Sequence, residues 1–133
     1  MQRLEDWPTR LAEFIEARQE RAFSRGVSDC CMFVADAIEA MTGTDPAARW
    51  RGLYFTDKGA HRLLRDNGGV VGLCSLVLGP SIPAPLAGRG DVVLIDAPEG
   101  EALAVCLGGT IAAQGGKGVI FLPATAAKAA WKV

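Results

Sequence analysis

The chain has 133 residues, of which 50% are hydrophobic, and its formal net charge is −1 with acidic and basic residues mixed along its length. This length suits a single domain that buries roughly two-thirds of the surface its unfolded form exposes. The balanced charge argues against a nucleic-acid or anionic-membrane surface. No stretch approaches the roughly 20 apolar residues of a membrane helix, and the first residues lack the apolar run of a signal peptide. We therefore expect a protein that is made in the cytosol and stays there or is assembled into a larger structure.

The cysteines show neither CxxC spacing nor the density of a disulfide-stabilised secreted domain. They are Cys30, Cys31, Cys74 and Cys106. Zinc would need more ligands at suitable spacing than these thiols and the single His61 offer. We therefore predict reduced thiols, no metal and no cofactor.

The first half of the chain has the apolar periodicity of helices. Trp7-Pro8 opens a helix that we expect to end near Ala22, because proline is tolerated in a first turn. A later helix starts at Thr56 or Asp57, either of which can cap it, and runs to Asp66. The nearly continuous apolar run from Val70 to Leu78 fits a buried helix or a strand, and we favour the helix.

The central helix is predicted to begin within a residue or two of Cys30 and to stop at Thr42-Gly43. Ser28 or Asp29 can cap its first turn. A thiol at a helix N-terminus is favoured as thiolate by the macrodipole, whereas burial on the apolar stripe favours the neutral thiol. Both outcomes are open for Cys30 from the local sequence.

The second half has the signature of a meandering antiparallel sheet. Four short runs rich in branched apolar residues are separated by turn-forming segments, and they are Val92 to Ile95, Leu103 to Leu107, Ile111 to Ala113 and Val119 to Leu122. The glycine-rich segment 115–118 fits a hairpin turn, and the alanine-rich segment 125–130 fits a short helix. Helices followed by strands predict one α+β domain over residues 1–133, with the central helix packed on one face of the sheet.

Three short motifs resemble a known family. Asp29-Cys30 opens a buried helix, Arg89-Gly90-Asp91-Val92-Val93 leads into a strand, and a further strand ends in Leu107-Gly108-Gly109. This combination resembles the NlpC-like branch of the papain-fold cysteine peptidases, and within it the small phage-associated members with a DCC helix and a GDVV strand. The resemblance implies a papain-like fold and a cleft that, in active relatives, cuts peptidoglycan peptides.

The resemblance also implies a set of site positions. Cys30 matches the nucleophile, Ala102 falls where the family places its histidine base, and Gln114 falls on the third, polar position. Alanine can neither accept nor donate a proton, whereas a cysteine peptidase needs a base beside its sulfur. His61 is the only histidine, and it is either a helical surface residue or an unexpected base. Cys30 is correspondingly either the remnant of a nucleophile or a small packing residue.

The resulting expectation is a catalytically degenerate protein that acts as a structural or binding component of a phage or prophage tail tip. Other tail proteins are its implied partners, with peptidoglycan peptide as a further ligand and the virion as its destination. The alternative is a weakly active cysteine peptidase or amidase that uses Cys30. A third interpretation is a free-standing regulator that binds a cell-wall fragment in the ancestral cleft.

Overall fold

Four α-helices precede a five-stranded antiparallel sheet in the computed structural model, which describes residues 1–133. The helices are α1 (Trp7–Arg18), α2 (Cys30–Thr42), α3 (Asp57–Asp66) and α4 (Gly69–Leu78). The strands are β1 (Val92–Ala97), β2 (Gly100–Cys106), β3 (Thr110–Gln114), β4 (Val119–Pro123) and β5 (Ala129–Trp131). Two 3₁₀ turns lie at Ala84–Leu86 and Ala124–Ala126. The predicted α+β class is confirmed.

The sheet is a meander to which the chain end is added. Its strand order is β4-β3-β2-β1-β5, so consecutive strands pair from β1 to β4 and β5 returns to the free edge of β1. Strands β2 and β3 pair only through Val105 with Ala112 and Cys106 with Ile111. At their other ends these two strands separate, and the gap between them forms part of the cavity described below.

Helix α2 is fixed at both ends by its own sequence. The Asp29 side chain caps the first turn by accepting a hydrogen bond from the N–H of Met32, and Gly43 ends the helix in the left-handed conformation with φ of 78°. Such a conformation is strained for residues with a Cβ. The predicted bounds of this helix, and the predicted helical state of α3 and α4, are confirmed.

Apolar side chains cover both faces of the sheet. On one face, α2 packs on β1 and β2 through a cluster that includes Phe33, Ile38, Val92, Leu103 and Val105. The alternate residues of the strands point to the other face, where segments before β1 and after β4 cover them in part. We call these residues the outer cluster: Val93, Ile95, Ala104, Cys106, Ile111, Ala113 and Ala130. A third cluster joins α2 to α3, α4 and the segment between α2 and α3.

Two expectations about local structure are wrong. Helix α1 ends at Arg18, not near Ala22, because the carbonyl oxygens of Gln19 and Arg21 accept hydrogen bonds from the N–H of Val119 and the side chain of Gln114. The alanine-rich segment forms a 3₁₀ turn and β5 instead of a helix. Its ladder with β1 and the complete burial of Trp131 outweigh the helical preference of alanine.

Asp91 joins both ends of the chain to the start of β1. Its side chain is 1% exposed and accepts hydrogen bonds from the N–H groups of Gly88 and Val133 and from the side chains of Arg3 and Lys132. The position of Asp91 directly after the turn residue Gly90 predicts a side chain that bonds backbone in the turn, and the bond from the Gly88 N–H confirms this. None of the helices combines the length and the apolar character needed to cross a bilayer.

Candidate active site around Cys30

A cavity of about 1290 Å³ opens where α2 begins and where β2 and β3 separate. It extends between the β1–β2 turn, α3 and α4, and 22 of the 34 residues that line it are hydrophobic. Cys30, Ala102 and Gln114 all line this cavity, as does His61. The positions matched to the family's site therefore lie around one space, although they are far apart in the sequence.

Cys30 occupies the first helical position of α2 and is half-buried at the cavity wall. Its Sγ lies 3.9 Å from the Sγ of Cys31, and the backbone N–H of Leu103 on β2 also approaches it. The N–H groups of Cys30 and Cys31 have no hydrogen-bond partner, whereas the next two are bonded to Asp29. The sulfur thus faces a strand and lies beside two unpaired backbone donors.

The pKa values of the two neighbouring thiols are shifted in opposite directions. The hydrogen bond between the two thiols is the main reason that the pKa of the Cys30 thiol is lowered, and it prevails over the opposing effect of burial. The Leu103 N–H and the positive charge of Arg25 act in the same direction. The pKa of Cys31 is raised well above its usual value by the same hydrogen bond and by burial. Of the two sulfurs, Cys30 is therefore the one that its surroundings favour as thiolate.

Asp29 holds the backbone around Cys30. Its carboxylate is 2% exposed and accepts three hydrogen bonds, from the N–H of Met32 at 2.9 Å, the N–H of Gly26 at 2.9 Å and the Tyr54 hydroxyl at 2.5 Å. Burial and the bond to Asp29 raise the pKa of Tyr54, which keeps the hydroxyl a donor. Gly26 has φ of 84°, and a Cβ there would lie 2.0 Å from the Tyr54 carbonyl oxygen. This close approach requires glycine.

Arg25 is the cation whose positive charge lowers the pKa of the Cys30 thiol. Its Nε donates to Asp57 Oδ1 at 2.9 Å, and its guanidinium stacks on the Phe23 ring at 4.6 Å. These two contacts hold the charge at the cavity rim. A guanidinium favours a thiolate but cannot accept a proton at neutral pH, so Arg25 does not replace a general base.

No imidazole contacts Cys30. Ala102 lines the cavity, but its side chain packs with the outer cluster of the sheet, while the neighbouring Leu103 faces α2. His61 is exposed on α3 and its side chain makes no hydrogen bond. The residues at and beside the family's base position are therefore apolar.

Gln114 is 9% exposed at the end of β3. Its Nε2 donates to the carbonyl oxygens of Arg21 at 2.8 Å and Gly115 at 2.9 Å. Its Oε1 is buried without any partner. A buried acceptor without a donor costs about 1–3 kcal/mol, so this oxygen is an unsatisfied group inside the fold at the end of β3.

Sequence reasoning missed Arg25, Tyr54 and the Leu103 N–H as neighbours of the nucleophile. The sequence predicts only that Tyr54 lies over the core, and Arg25, which has no hydroxyl to help an oxyanion, is not predicted to act at the site. Their approach to Cys30 depends on how α2, the segment before α3 and β2 pack together. The one sequence signal for this packing is Gly26, three residues before the Asp29 cap. It indicates the tight turn at which Tyr54 approaches Asp29.

A cysteine at the start of a helix packed on an antiparallel sheet, with a strand passing its sulfur, defines a papain-like fold of the NlpC type. A solved structure, the NlpC/p60 domain of the peptidoglycan hydrolase SagA, has this fold with a TM-score of 0.61. The two are 19% identical over 95% of this chain and 98% of the other. At this identity the likeness establishes the fold.

The chain belongs to the family described as a domain of unknown function, DUF6950, which matches residues 2–133. No curated protein matches it in sequence. The fold places Cys30 in an NlpC-like scaffold, while the activity has to be argued from the residues around its sulfur.

Proposed function

We propose that this chain is an NlpC-like protein without hydrolytic activity that acts as a structural or binding component of a phage or prophage tail tip. The observation that carries the proposal is the apolar surrounding at the base position. Ala102 and Leu103 flank the point where the strand passes Cys30, and His61 lies exposed on α3. Amide hydrolysis by a cysteine needs a proton acceptor and donor beside the sulfur, and none of these residues supplies it within reach.

The unpartnered Gln114 Oε1 supports the same proposal. In papain-like sites a polar side chain at this third position holds the histidine through a hydrogen bond from the ring N–H. Here the acceptor is retained and no donor reaches it. This is the arrangement expected after an imidazole is lost from a site whose frame persists.

The tail context is supported by the motifs that the chain shares with small phage-associated relatives, Asp29-Cys30-Cys31 and Gly90-Asp91-Val92-Val93. In this proposal the protein is made in the host cytoplasm and becomes part of the virion. Other tail proteins are its partners, and the cavity over Cys30 is available to a ligand such as a peptidoglycan peptide.

A second function is a cysteine peptidase or amidase on peptidoglycan peptides. It is favoured by the lowered pKa of Cys30 and by the likeness to a domain of a peptidoglycan hydrolase. His61 lines the same cavity and would have to move to the sulfur to serve as base.

Complementation separates the two functions. In the phage or prophage that encodes the chain, the gene is deleted and then supplied as wild type, Cys30→Ala or His61→Ala. A structural role predicts that deletion removes tails from the particles and that all three genes restore infectious particles equally. The proposal fails if Cys30→Ala assembles normal particles that cannot infect, since that result assigns a chemical role to the thiol.

Hydrolysis is measured separately with the purified chain. Peptidoglycan muropeptides incubated with wild type and with Cys30→Ala should give identical chromatograms. Cleavage that disappears in Cys30→Ala would establish the peptidase. Ala102→His and Leu103→His, one for each face of β2, then test whether restoring an imidazole beside the sulfur restores cleavage.

A further inference from the structure

Two thiols meet at the start of α2. The Sγ atoms of Cys30 and Cys31 are 3.9 Å apart and share a hydrogen bond, and both residues line the cavity. A structural role needs neither sulfur, and a peptidase needs only Cys30. The pairing of the two thiols is therefore a feature that neither function explains.

We propose that Cys30 and Cys31 form a redox-active dithiol that a hydroperoxide, entering through the cavity, oxidises to a disulfide between the two adjacent residues. Cys30 is the sulfur that attacks the peroxide, and Cys31 is the sulfur that resolves the product. Neither step uses a histidine base, so the proposal is independent of whether the chain cleaves peptidoglycan.

The surroundings of Cys30 are those of a redox-sensitive cysteine. Such cysteines have thiolate character, are reached by solvent and lie beside a second, resolving cysteine. The hydrogen bond with Cys31, the Leu103 N–H and the charge of Arg25 favour the thiolate of Cys30. Both cysteines are only partly buried, and the cavity beside them is wide enough to admit a small peroxide. Cys30 thus combines all three properties.

The two steps balance in atoms and electrons. The Cys30 thiolate attacks one oxygen of the peroxide, an S–O bond forms, the O–O bond breaks, and hydroxide leaves with the bonding pair. This hydroxide takes the proton of the Cys31 thiol and becomes water. The Cys31 thiolate then attacks the sulfur of the Cys30 sulfenic acid, an S–S bond forms, the S–O bond breaks, and the second hydroxide is protonated by solvent. The dithiol loses two electrons, and the peroxide is reduced to water.

The order of the two steps follows from how each sulfur affects the other. The pKa of Cys31 is raised first by the hydrogen bond with Cys30, then by burial and by the negative charge of Cys30. Oxidation to the sulfenic acid removes that charge and weakens Cys30 as a hydrogen-bond acceptor. Cys31 therefore keeps its proton while Cys30 is a thiolate and gives it up more easily once Cys30 is oxidised.

A bond between adjacent residues changes the start of α2. Adjacent Cα atoms are about 3.8 Å apart, which is below the usual disulfide range of about 4.4–6.8 Å. The first turn must therefore rearrange. The N–H groups of Cys30 and Cys31 have no hydrogen bonds to lose, but the Asp29 cap on Met32 belongs to the same turn. We expect the oxidised chain to be less stable than the reduced chain and its disulfide to be easily reduced.

Peptide masses after oxidation test the proposal. The reduced full chain, freed of reductant, is treated with hydrogen peroxide at pH 7 and digested with trypsin without reduction. Cys30 and Cys31 share the tryptic peptide of residues 26–49, whereas Cys74 lies on the peptide of residues 66–89. Peptide 26–49 should lose the mass of two hydrogen atoms, and glutathione should restore it. The oxidised chain should unfold at a lower temperature than the same sample after reduction.

Cys31→Ser is the matched control, because its hydroxyl keeps a hydrogen-bond donor beside Cys30 but cannot close a disulfide. In this variant Cys30 should stop at the sulfenic acid, which dimedone labels, whereas peroxide-treated wild type should stay unlabelled. Three results would overturn the proposal: equal dimedone labelling of the two chains, a disulfide that joins residues 26–49 to residues 66–89, or wild-type thiols that all remain open to alkylation after peroxide.

Discussion

Asp29→Ala should cost about 4 kcal/mol of folding free energy. Loss of the helix cap accounts for about 1 kcal/mol. The Gly26 N–H and the Tyr54 hydroxyl then lose their buried acceptor, which costs about 1.5 kcal/mol each, in the lower part of the usual range. At about 2.1 cal/mol/K per residue, the unfolding entropy of 133 residues is about 0.28 kcal/mol/K, so the midpoint falls by about 14 °C.

Urea and thermal unfolding followed by circular dichroism measure this effect. Asp66→Ala is the matched control, since that carboxylate is exposed and its only ion pair is at 3.6 Å; it should shift the midpoint by less than about 2 °C. In Tyr54→Phe, no hydroxyl is left without an acceptor, so Asp29→Ala should cost less there than in wild type. A loss below about 1 kcal/mol for Asp29→Ala, or strict additivity with Tyr54→Phe, would refute the role given to this carboxylate.

Three further outcomes follow from the same contacts. The rate at which iodoacetamide alkylates Cys30 should rise with pH, with a pH midpoint below the ordinary thiol pKa of about 8.5. Arg25→Gln should raise this pH midpoint, whereas Arg25→Lys should keep it low. A pH midpoint above about 9 in wild type would contradict the described environment of Cys30. Burial alone would raise the pKa of Asp91, but hydrogen bonds from Lys132 and two backbone N–H groups lower it. Its stabilisation is therefore complete above the unfolded pKa of about 3.9 and lost as pH falls through the lower folded value. Asp91→Asn should be less stable at pH 7 and show a shallower decline in unfolding free energy below pH 4; a parallel decline would count against this. Gly118→Ala should lower the free energy of unfolding in urea by about 1–3 kcal/mol, because its Cβ would lie 1.9 Å from the Gln19 carbonyl oxygen. Gly116→Ala is the control and should be nearly neutral, because open space surrounds that position. Equal effects of the two variants would show that the contact with Gln19 does not matter.

Local chemistry made the helices predictable. The Asp29 cap and Gly43 stop of α2, and the Thr56 cap of α3, are each formed by residues within a few positions of the helix end. The strands of the meander were found for the same reason, since their turns are rich in glycine. The alignment of Cys30, Ala102 and Gln114 with the family's site positions remains a prediction, although all three line one cavity.

Contacts between distant segments were not predictable. Strand β5 exists because Ala130 and Trp131 find the edge of β1, not because their sequence favours a strand. The Gln114 side chain reaches the Arg21 carbonyl across 93 positions, and Tyr54 reaches Asp29 across 25. Such hydrogen bonds pair polar groups that have no partner within their own helix or turn. The packing of the whole fold determines which distant residue becomes that partner.

The junction at Asp91 lies at one end of β1, and the Cys30 cavity includes Ala97 at the other end. Six strand residues separate these points by about 20 Å. The Cys30 sulfur lies between these levels, because Leu103, whose N–H approaches it, pairs with Leu94 in the middle of β1. A polypeptide fused to either terminus would therefore emerge at the Asp91 end of β1 and leave the β1–β2 turn, which forms the far rim of the cavity, uncovered.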